Sequence, residues 1–283
     1  MRILPSDPHG AQQSKVCGGS ASTSTTKTPG EIRILRTSKI EWTERTWNPV
    51  TGCSKVSEGC RNCYAEVMTR RLKAMGKSKY ANGFTVTTHP DTLCEPYKWK
   101  PSTIFVCSMA DLFHVDVPFC FIDKVMDIIW RTPQHTYQIL TKRAERMADY
   151  FSSKLVPLNV WCGVTVEQAS ELWRVDYLTN IGSVVRFVSC EPLLGDLGKV
   201  NFGSTVDWVI VGGESGSNAR PMKAEWVYNI WRHCVEGHVP FFFKQWGTYG
   251  QDGIKRSKKA NGKELDGRTV QQMPQTWASK ELI

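Results

Sequence analysis

Eight short β-rich runs recur between Thr46 and Trp246, and their spacing limits the fold more than any other feature of the chain. They are Thr46–Thr51, Phe84–His89, Thr103–Met109, Thr136–Lys142, Asn159–Thr165, Val184–Cys190, Asp207–Gly213 and Pro240–Trp246. Several are near-continuous apolar runs, as strands covered on both faces require. Helical patterns fall between most of them, at Ala65–Met75, Phe121–Arg131, Arg143–Phe151, Val166–Leu178 and Ala224–Val235. Alternation of this kind predicts an α/β fold, a TIM-like (β/α) barrel. Between the second and third runs Pro90, Pro96 and Pro101 leave no clear helix, so the barrel is expected to be either complete or partly open.

The barrel is expected over 39–247. Residues 1–38 include the low-complexity string Ala21-Ser22-Thr23-Ser24-Thr25-Thr26, which buries no core and reads as a disordered extension. The same segment is Ser/Thr-rich and poor in acids, as transit peptides are. After Gly247 the chain turns polar and basic, so 248–283 reads as a flap or tail, with Asp266-Gly267 as a hairpin tip.

Hydrophobic residues make up 41% and charged residues 22% of the 283 residues, enough apolar mass for a large core. No stretch reaches the ~18 apolar residues of a membrane helix, and no apolar signal segment opens the chain. A cytoplasmic protein is the expectation. In that reducing compartment, ten cysteines point to metal or catalysis rather than disulfides. The net charge of +9, densest at Lys255, Arg256, Lys258, Lys259 and Lys263, suits a polyanionic partner such as a nucleic acid or nucleotide, or simply a solvated tail.

Seven cysteines are scattered singly, at 17, 94, 107, 120, 162, 190 and 234. Only Cys53, Cys60 and Cys63 form a tight group, just after the first run, where a barrel places its active-site loops. Three thiolates fit a [4Fe-4S] cluster with one iron open to a bound cofactor. Structural zinc takes four protein ligands, and the nearest fourth candidates, His89 and Cys94, lie about thirty residues on without paired spacing.

Polar residues mark nearly every strand end: Asp111, Thr141 and Lys142, Thr165 and Glu167, Ser189 and Glu191, Glu214 and Ser215, Lys244 and Gln245. So many imply a wet, functional mouth. Glu191, Glu214 and Lys244 are the catalytic candidates, with an ion pair to Lys142 or Lys244 as the plainer role for each carboxylate. The Gly212-Gly213-Glu214-Ser215-Gly216 string lets backbone approach a ligand, or makes a tight turn. His89 and His114 are possible proton carriers, and Trp47 and Trp246 lie where an indole can stack on a base.

Trp47-Asn48-Pro49 followed by Cys53 and then Gly59-Cys60-Arg61-Asn62-Cys63-Tyr64-Ala65-Glu66 resembles the opening of a radical S-adenosylmethionine (SAM) barrel. Its Cys-Tyr-Ala ending is similar to spore photoproduct lyase and its relatives. A phage and prophage family of unknown function shares the three-cysteine start. Its later signatures recur as Ser108-Met109-Ala110-Asp111-Leu112-Phe113-His114, Leu140-Thr141-Lys142-Arg143, Ser189-Cys190-Glu191-Pro192, Gly212-Gly213-Glu214-Ser215-Gly216, Phe243-Lys244-Gln245-Trp246-Gly247 and Leu265-Asp266-Gly267-Arg268, across about 39–274. The usual radical SAM spacing of three then two residues becomes six then two here, and Asn62 stands where an aromatic is usual.

The resemblance implies a cluster at Cys53, Cys60 and Cys63, SAM as cofactor, an external electron donor, and a deoxyadenosyl radical that takes hydrogen from a substrate. Tyr64, Ser108, Asp111, Lys142, Gly212, Gly213 and Ser215 are then the cofactor-binding candidates. Two other readings compete. One is a non-catalytic iron–sulfur or zinc protein that binds nucleic acid; the other is a metal-independent barrel enzyme using Glu191, Glu214 and Lys244.

Overall fold

The structure is a computed structural model that describes residues 38, 40–203 and 205–275. The extension expected over 1–38 lies outside the described residues, Ser38 apart.

The strands are β1 (Arg45–Trp47), β2 (Val50–Thr51), β3 (Thr87–Thr88), β4 (Thr103–Val106), β5 (Thr136–Thr141), β6 (Val160–Thr165), β7 (Val185–Cys190), β8 (Trp208–Gly212) and β9 (Phe241–Gln245). Seven of them form one sheet in the order β1-β4-β5-β6-β7-β8-β9, and every neighbouring pair is parallel. β1 and β9 stand at the two ends of this sheet and do not pair with each other. Among the described residues the barrel is therefore partial, a seven-stranded parallel sheet rather than the closed eight-stranded form.

The run at Phe84–His89 accounts for the difference. Thr87–Thr88 turns away from the main sheet and pairs antiparallel with Val50–Thr51. Its prolines explain the exit, because short 3₁₀ turns at Pro90–Thr92 and Glu95–Lys98 replace the helix that a parallel crossover needs. The first run splits for a related reason. Pro49 has no N–H to give a ladder, and it separates β1 from β2.

The helices are α1 (Tyr64–Ala74), α2 (Phe119–Arg131), α3 (Ala144–Phe151), α4 (Trp173–Thr179), α5 (Ala224–Glu236) and α6 (Lys258–Asn261). α4 is shorter than its pattern, since Ala169–Glu171 is a separate 3₁₀ turn. Strand residues alternate between two cores. One side packs Ile104, Val106, Tyr137, Ile139, Val164, Val188, Val209, Val211 and Phe243 against the helices. The other side, lining the curved interior, gathers Trp42, Phe105, Trp161, Phe187, Trp208 and Phe242 into an aromatic floor. Gly163 faces this floor, and a Cβ there would overlap the Phe187 ring.

Beyond Gly247 the chain returns to the β9 edge. Phe243 N donates to Val270 O at 2.7 Å, Gln272 N to Phe241 O at 3.0 Å, and Trp208 Nε1 to Gln272 O at 2.9 Å. β10 (Glu264–Leu265) and β11 (Arg268–Thr269) pair antiparallel around Asp266 and Gly267. Both turn residues have positive φ, 49° and 73°, the type I′ geometry that Asp-Gly favours. The segment also clasps the open seam, because Lys263 Nζ and Gln271 Nε2 both reach Glu41 Oε2, at 3.2 and 2.9 Å, just before β1. No described helix is long and apolar enough to cross a membrane.

Candidate metal centre

Above the aromatic floor the interior face becomes polar. Period-two alternation carries Leu140 to Lys142, Gly163 to Thr165, Phe187 to Ser189 and Glu191, Trp208 to Ile210 and Gly212, and Phe242 to Lys244. The parallel sheet places these C-terminal ends at one mouth. Two cross-strand pairs form there. Lys244 Nζ sits 2.7 Å from Glu191 Oε1, whose other oxygen accepts from Ser189 Oγ at 3.2 Å. Lys142 Nζ lies 3.5 Å from Glu167 Oε1.

The loop from Cys53 to Cys63 crosses this mouth, and each strand-end loop fastens part of it. Ser54 Oγ meets His114 Nε2 at 2.7 Å, after β4. After β5, Arg143 donates to Ser54 O and Oγ (3.1 and 3.0 Å) and to Cys53 Sγ at 3.5 Å. Asp111 holds that guanidinium at 3.0 Å while also accepting from Thr141 Oγ1, Lys142 N and Phe113 N. Burial and the nearby Asp111 carboxylate push the Cys53 thiol up, against the pull of Arg143.

Glu167 anchors the middle of the loop. It is 0% exposed and accepts from Ser57 Oγ at 2.6 Å and from the buried Arg174 at 2.7 Å. Gly59 packs so closely that a Cβ would overlap the Glu167 carboxylate, which makes glycine necessary before Cys60. Burial opposes the charge of Glu167, but Lys142, Ser57 and Arg174 outweigh it and hold the carboxyl below its usual range.

The end of the loop is tied to the segment after β8. Asn62 Nδ2 donates to Glu214 Oε2 at 3.1 Å and to Asn218 O at 2.8 Å. Glu214 also accepts from Arg220 N, Nε and Nη2, at 2.8, 2.9 and 2.7 Å, and Arg220 reaches Glu58 O at 3.0 Å. Tyr64 opens α1, and its hydroxyl donates to the Ser108 carbonyl. Tyr64 is 59% exposed, and Cys63 and Glu191 both lie within electrostatic reach of its hydroxyl. Tyr64 thus stands in the mouth between the cysteine loop and the Glu191–Lys244 pair.

Other expected residues take different places. Trp47 is 0% exposed and donates to Thr92 O, and Trp246 is 2% exposed and donates to Glu264 O, so neither indole is free to stack on a base. His89 pairs with Thr51 Oγ1 at 2.8 Å and His114 is 2% exposed; burial pushes both imidazoles down. A Cβ on Gly212 would crowd Glu191, and one on Gly213 would overlap the Trp246 carbonyl, so these glycines admit protein neighbours. Ser215 Oγ meets Gln245 Nε2 at 3.3 Å. Glu191 has its expected lysine partner, whereas Glu214 pairs with Arg220.

Sequence reasoning gave no role to Arg143, Arg174 or Arg220. Arg143 had a signal, a second cation in Lys142-Arg143 at a strand end. Arg220 lies in an irregular loop with no periodicity to mark it, and Arg174 reads as one polar position on an amphipathic helix.

The donor set can be tested for a metal. Cys53, Cys60 and Cys63 are reduced and half-buried on one loop beside a guanidinium. Cys107, Cys162, Cys190 and Cys234 are buried in the core, where desolvation raises their thiols, Cys162 and Cys234 to about 12. These four core thiols are poorly placed to ionise, whereas the three loop thiols lie half-buried at the mouth. Among the described residues no three His, Cys, Asp or Glu side chains converge at metal-binding distance. By donor chemistry the three cysteines fit an iron–sulfur cluster.

A family model described as protein of unknown function DUF5131 matches residues 37–274. The chain belongs to this family. Its members' shared description assigns no activity. No curated protein matches. Solved structures of spore photoproduct lyase overlap it loosely. A cysteine-to-serine mutant is 11% identical, with a TM-score of 0.41, covering 74% of this chain and 72% of that one. The lyase complexed with dinucleoside spore photoproduct is 10% identical with the same coverage and a TM-score of 0.41. A mutant with bound AdoMet and that dinucleoside is 10% identical, with a TM-score of 0.40 and again 74% and 72% coverage.

Proposed function

We propose that this DUF5131 protein is a radical SAM-like iron–sulfur enzyme that abstracts hydrogen from a nucleotide or nucleic acid. The observation that carries the reading is the placement of Cys53, Cys60 and Cys63 on a loop that crosses a polar mouth, with Arg143 against the first sulfur. When bound, a cluster with one open iron supplies an electron that cleaves SAM reductively.

The chain's own residues bind, orient and shield. Glu191, held by Lys244 and Ser189, offers a carboxylate to a ligand amino group, while Lys142 and Lys244 offer ammonium groups to a carboxylate or phosphate. Tyr64 and the Ser108 carbonyl form one wall. Asp111, Glu167 and Glu214 hold the cysteine loop through Arg143, Ser57 and Asn62, and Gly212, Gly213 and Ser215 shape the opposite rim. The aromatic floor beneath closes the interior to water. A polyanionic substrate is favoured by the net charge of +9 and by Lys258, which lies near enough to Lys244 and Glu191 to feel both.

The test is anaerobic loading with iron and sulfide, reduction with dithionite, and addition of SAM. Release of 5′-deoxyadenosine and methionine is expected, with loss of both products in the C53A, C60A and C63A variants. A reduced cluster that leaves SAM intact would refute the enzymatic reading.

A further inference from the structure

The loop after β4 carries two polar residues three positions apart, Asp111 and His114, and the Leu112 and Phe113 side chains between them are buried. Asp111 holds Arg143, and His114 holds Ser54. The backbone fixes where the proton of the second contact lies. Asp116 N donates to His114 Nδ1 at 3.1 Å. A backbone nitrogen can only donate, so Nδ1 accepts and a neutral imidazole carries its proton on Nε2. Burial and the Arg143 charge favour that neutral ring. Nε2 therefore donates to Ser54 Oγ at 2.7 Å, and Arg143 Nη2 donates to the same oxygen at 3.0 Å. A hydroxyl has two lone pairs and one proton. With both lone pairs taken, the Ser54 hydroxyl can act only as a donor, and no described residue accepts from it. Ser54 is exposed, and the guanidinium that touches its oxygen also lies 3.5 Å from Cys53 Sγ. The hydroxyl and the first sulfur thus flank one fork.

We infer that Ser54 donates a hydrogen bond to the cluster at its Cys53 corner, and that His114 is the positioning residue that keeps the hydroxyl proton free for it. The inference rests on the iron–sulfur reading above. Its effect follows from charge. Reduction adds negative charge to the cluster and its sulfurs, and a donor beside them stabilises that state, so the bond raises the reduction potential. The donor is a strong one, because two N–H groups, one of them on a guanidinium, draw electron density from the Ser54 oxygen. His114 then holds a proton in place rather than carrying one.

The experiment uses the full chain loaded with cluster. A redox titration followed by electron paramagnetic resonance reads the midpoint potential of the wild type, Ser54→Ala, Ser54→Thr, His114→Gln and His114→Phe, with iron analysis of each. Ser54→Ala is expected to lower the equilibrium constant for reduction by about tenfold, the worth of one hydrogen bond to a charged group. That is a shift of about 59 mV to more negative potential for one electron. Ser54→Thr keeps the hydroxyl and His114→Gln keeps an N–H donor, so both should stay near the wild-type potential. His114→Phe should shift in the same direction as Ser54→Ala, since the unpinned hydroxyl gains other rotamers. An unchanged potential in Ser54→Ala overturns the inference, and so does a potential in Ser54→Thr as low as that of Ser54→Ala. If Ser54→Ala takes up no cluster, His114→Phe decides, and a wild-type potential there overturns it. Loss of the cluster in both would make the pair a support for the loop only, which overturns it as well. If no reducible cluster forms in the wild type, both this inference and the iron–sulfur reading fall.

Discussion

Glu167 joins the barrel core to the cysteine loop, and its removal is expected to be costly in a way the geometry grades. In Glu167→Ala the Arg174 guanidinium, whose side chain is 2% exposed, loses the carboxylate 2.7 Å away. Breaking a buried pair from one side costs about 3–5 kcal/mol, because a desolvated charge is left behind. Arg174 keeps Glu171 at 2.6 Å and the Thr165 carbonyl at 2.8 Å, so the low end applies, about 3 kcal/mol. The Ser57 hydroxyl, bonded to that charged group at 2.6 Å, adds about 1.5 kcal/mol, lost also in Ser57→Ala. Global stability is read by urea denaturation, and opening of the loop by the rate at which Cys60 reacts with a thiol reagent in the metal-free protein. Glu167→Ala should show both a large stability loss and faster thiol reaction; Ser57→Ala should show mainly the second. A change within about 0.5 kcal/mol in Glu167→Ala, the range of an ordinary surface substitution, would refute the anchoring role.

Arg143→Gln should leave the fold intact and move the reconstituted cluster to a more negative midpoint potential, because a cation beside the sulfur favours the reduced, more negative state; an unchanged potential in an electrochemical titration contradicts this. The Glu41 clasp should be acid-sensitive. Burial raises its pKa, but Gln271 and Lys263 overcome this and leave the carboxyl below its ordinary value, so its stabilisation is present above about pH 4 and is lost as pH falls through the lowered folded value. Glu41→Gln should therefore narrow the stability gap between pH 6 and pH 3, measured by thermal unfolding at each pH. Gly213→Ala should destabilise the protein by more than 2 kcal/mol, since its Cβ meets the Trp246 backbone carbonyl rather than a flexible side chain; a wild-type urea midpoint would contradict that.

Much of the fold was legible because parallel strands buried on both faces write themselves as apolar runs, and six of the eight runs lie on main-sheet strands β4 to β9. The first run yields both β1 and β2. The Phe84–His89 run looked equivalent because Val86, Thr87 and Thr88 carry strand propensity, but propensity does not say which sheet a strand joins. The prolines that follow decided that. At the mouth, strand-end position identified the polar residues, since alternation and register carry over directly to three dimensions. Their pairing was not legible. Glu214 meets Arg220 through a loop of no regular period, and Glu167 meets Gly59 across 108 residues of sequence. Trp47 and Trp246 misled because strand-end location places a backbone, while the direction of the side chain depends on neighbours the sequence does not reveal.

The central claim is that Cys53, Cys60 and Cys63 hold a cluster with one iron free for a cofactor. The most direct measurement is iron, sulfide and zinc analysis of anaerobically purified full-length protein, with Mössbauer spectra recorded before and after adding SAM. About four iron and four sulfide per chain are predicted, with one iron site changing its spectrum on SAM addition and the iron lost in the triple cysteine variant. Stoichiometric zinc, or iron that survives removal of the three cysteines, would contradict it.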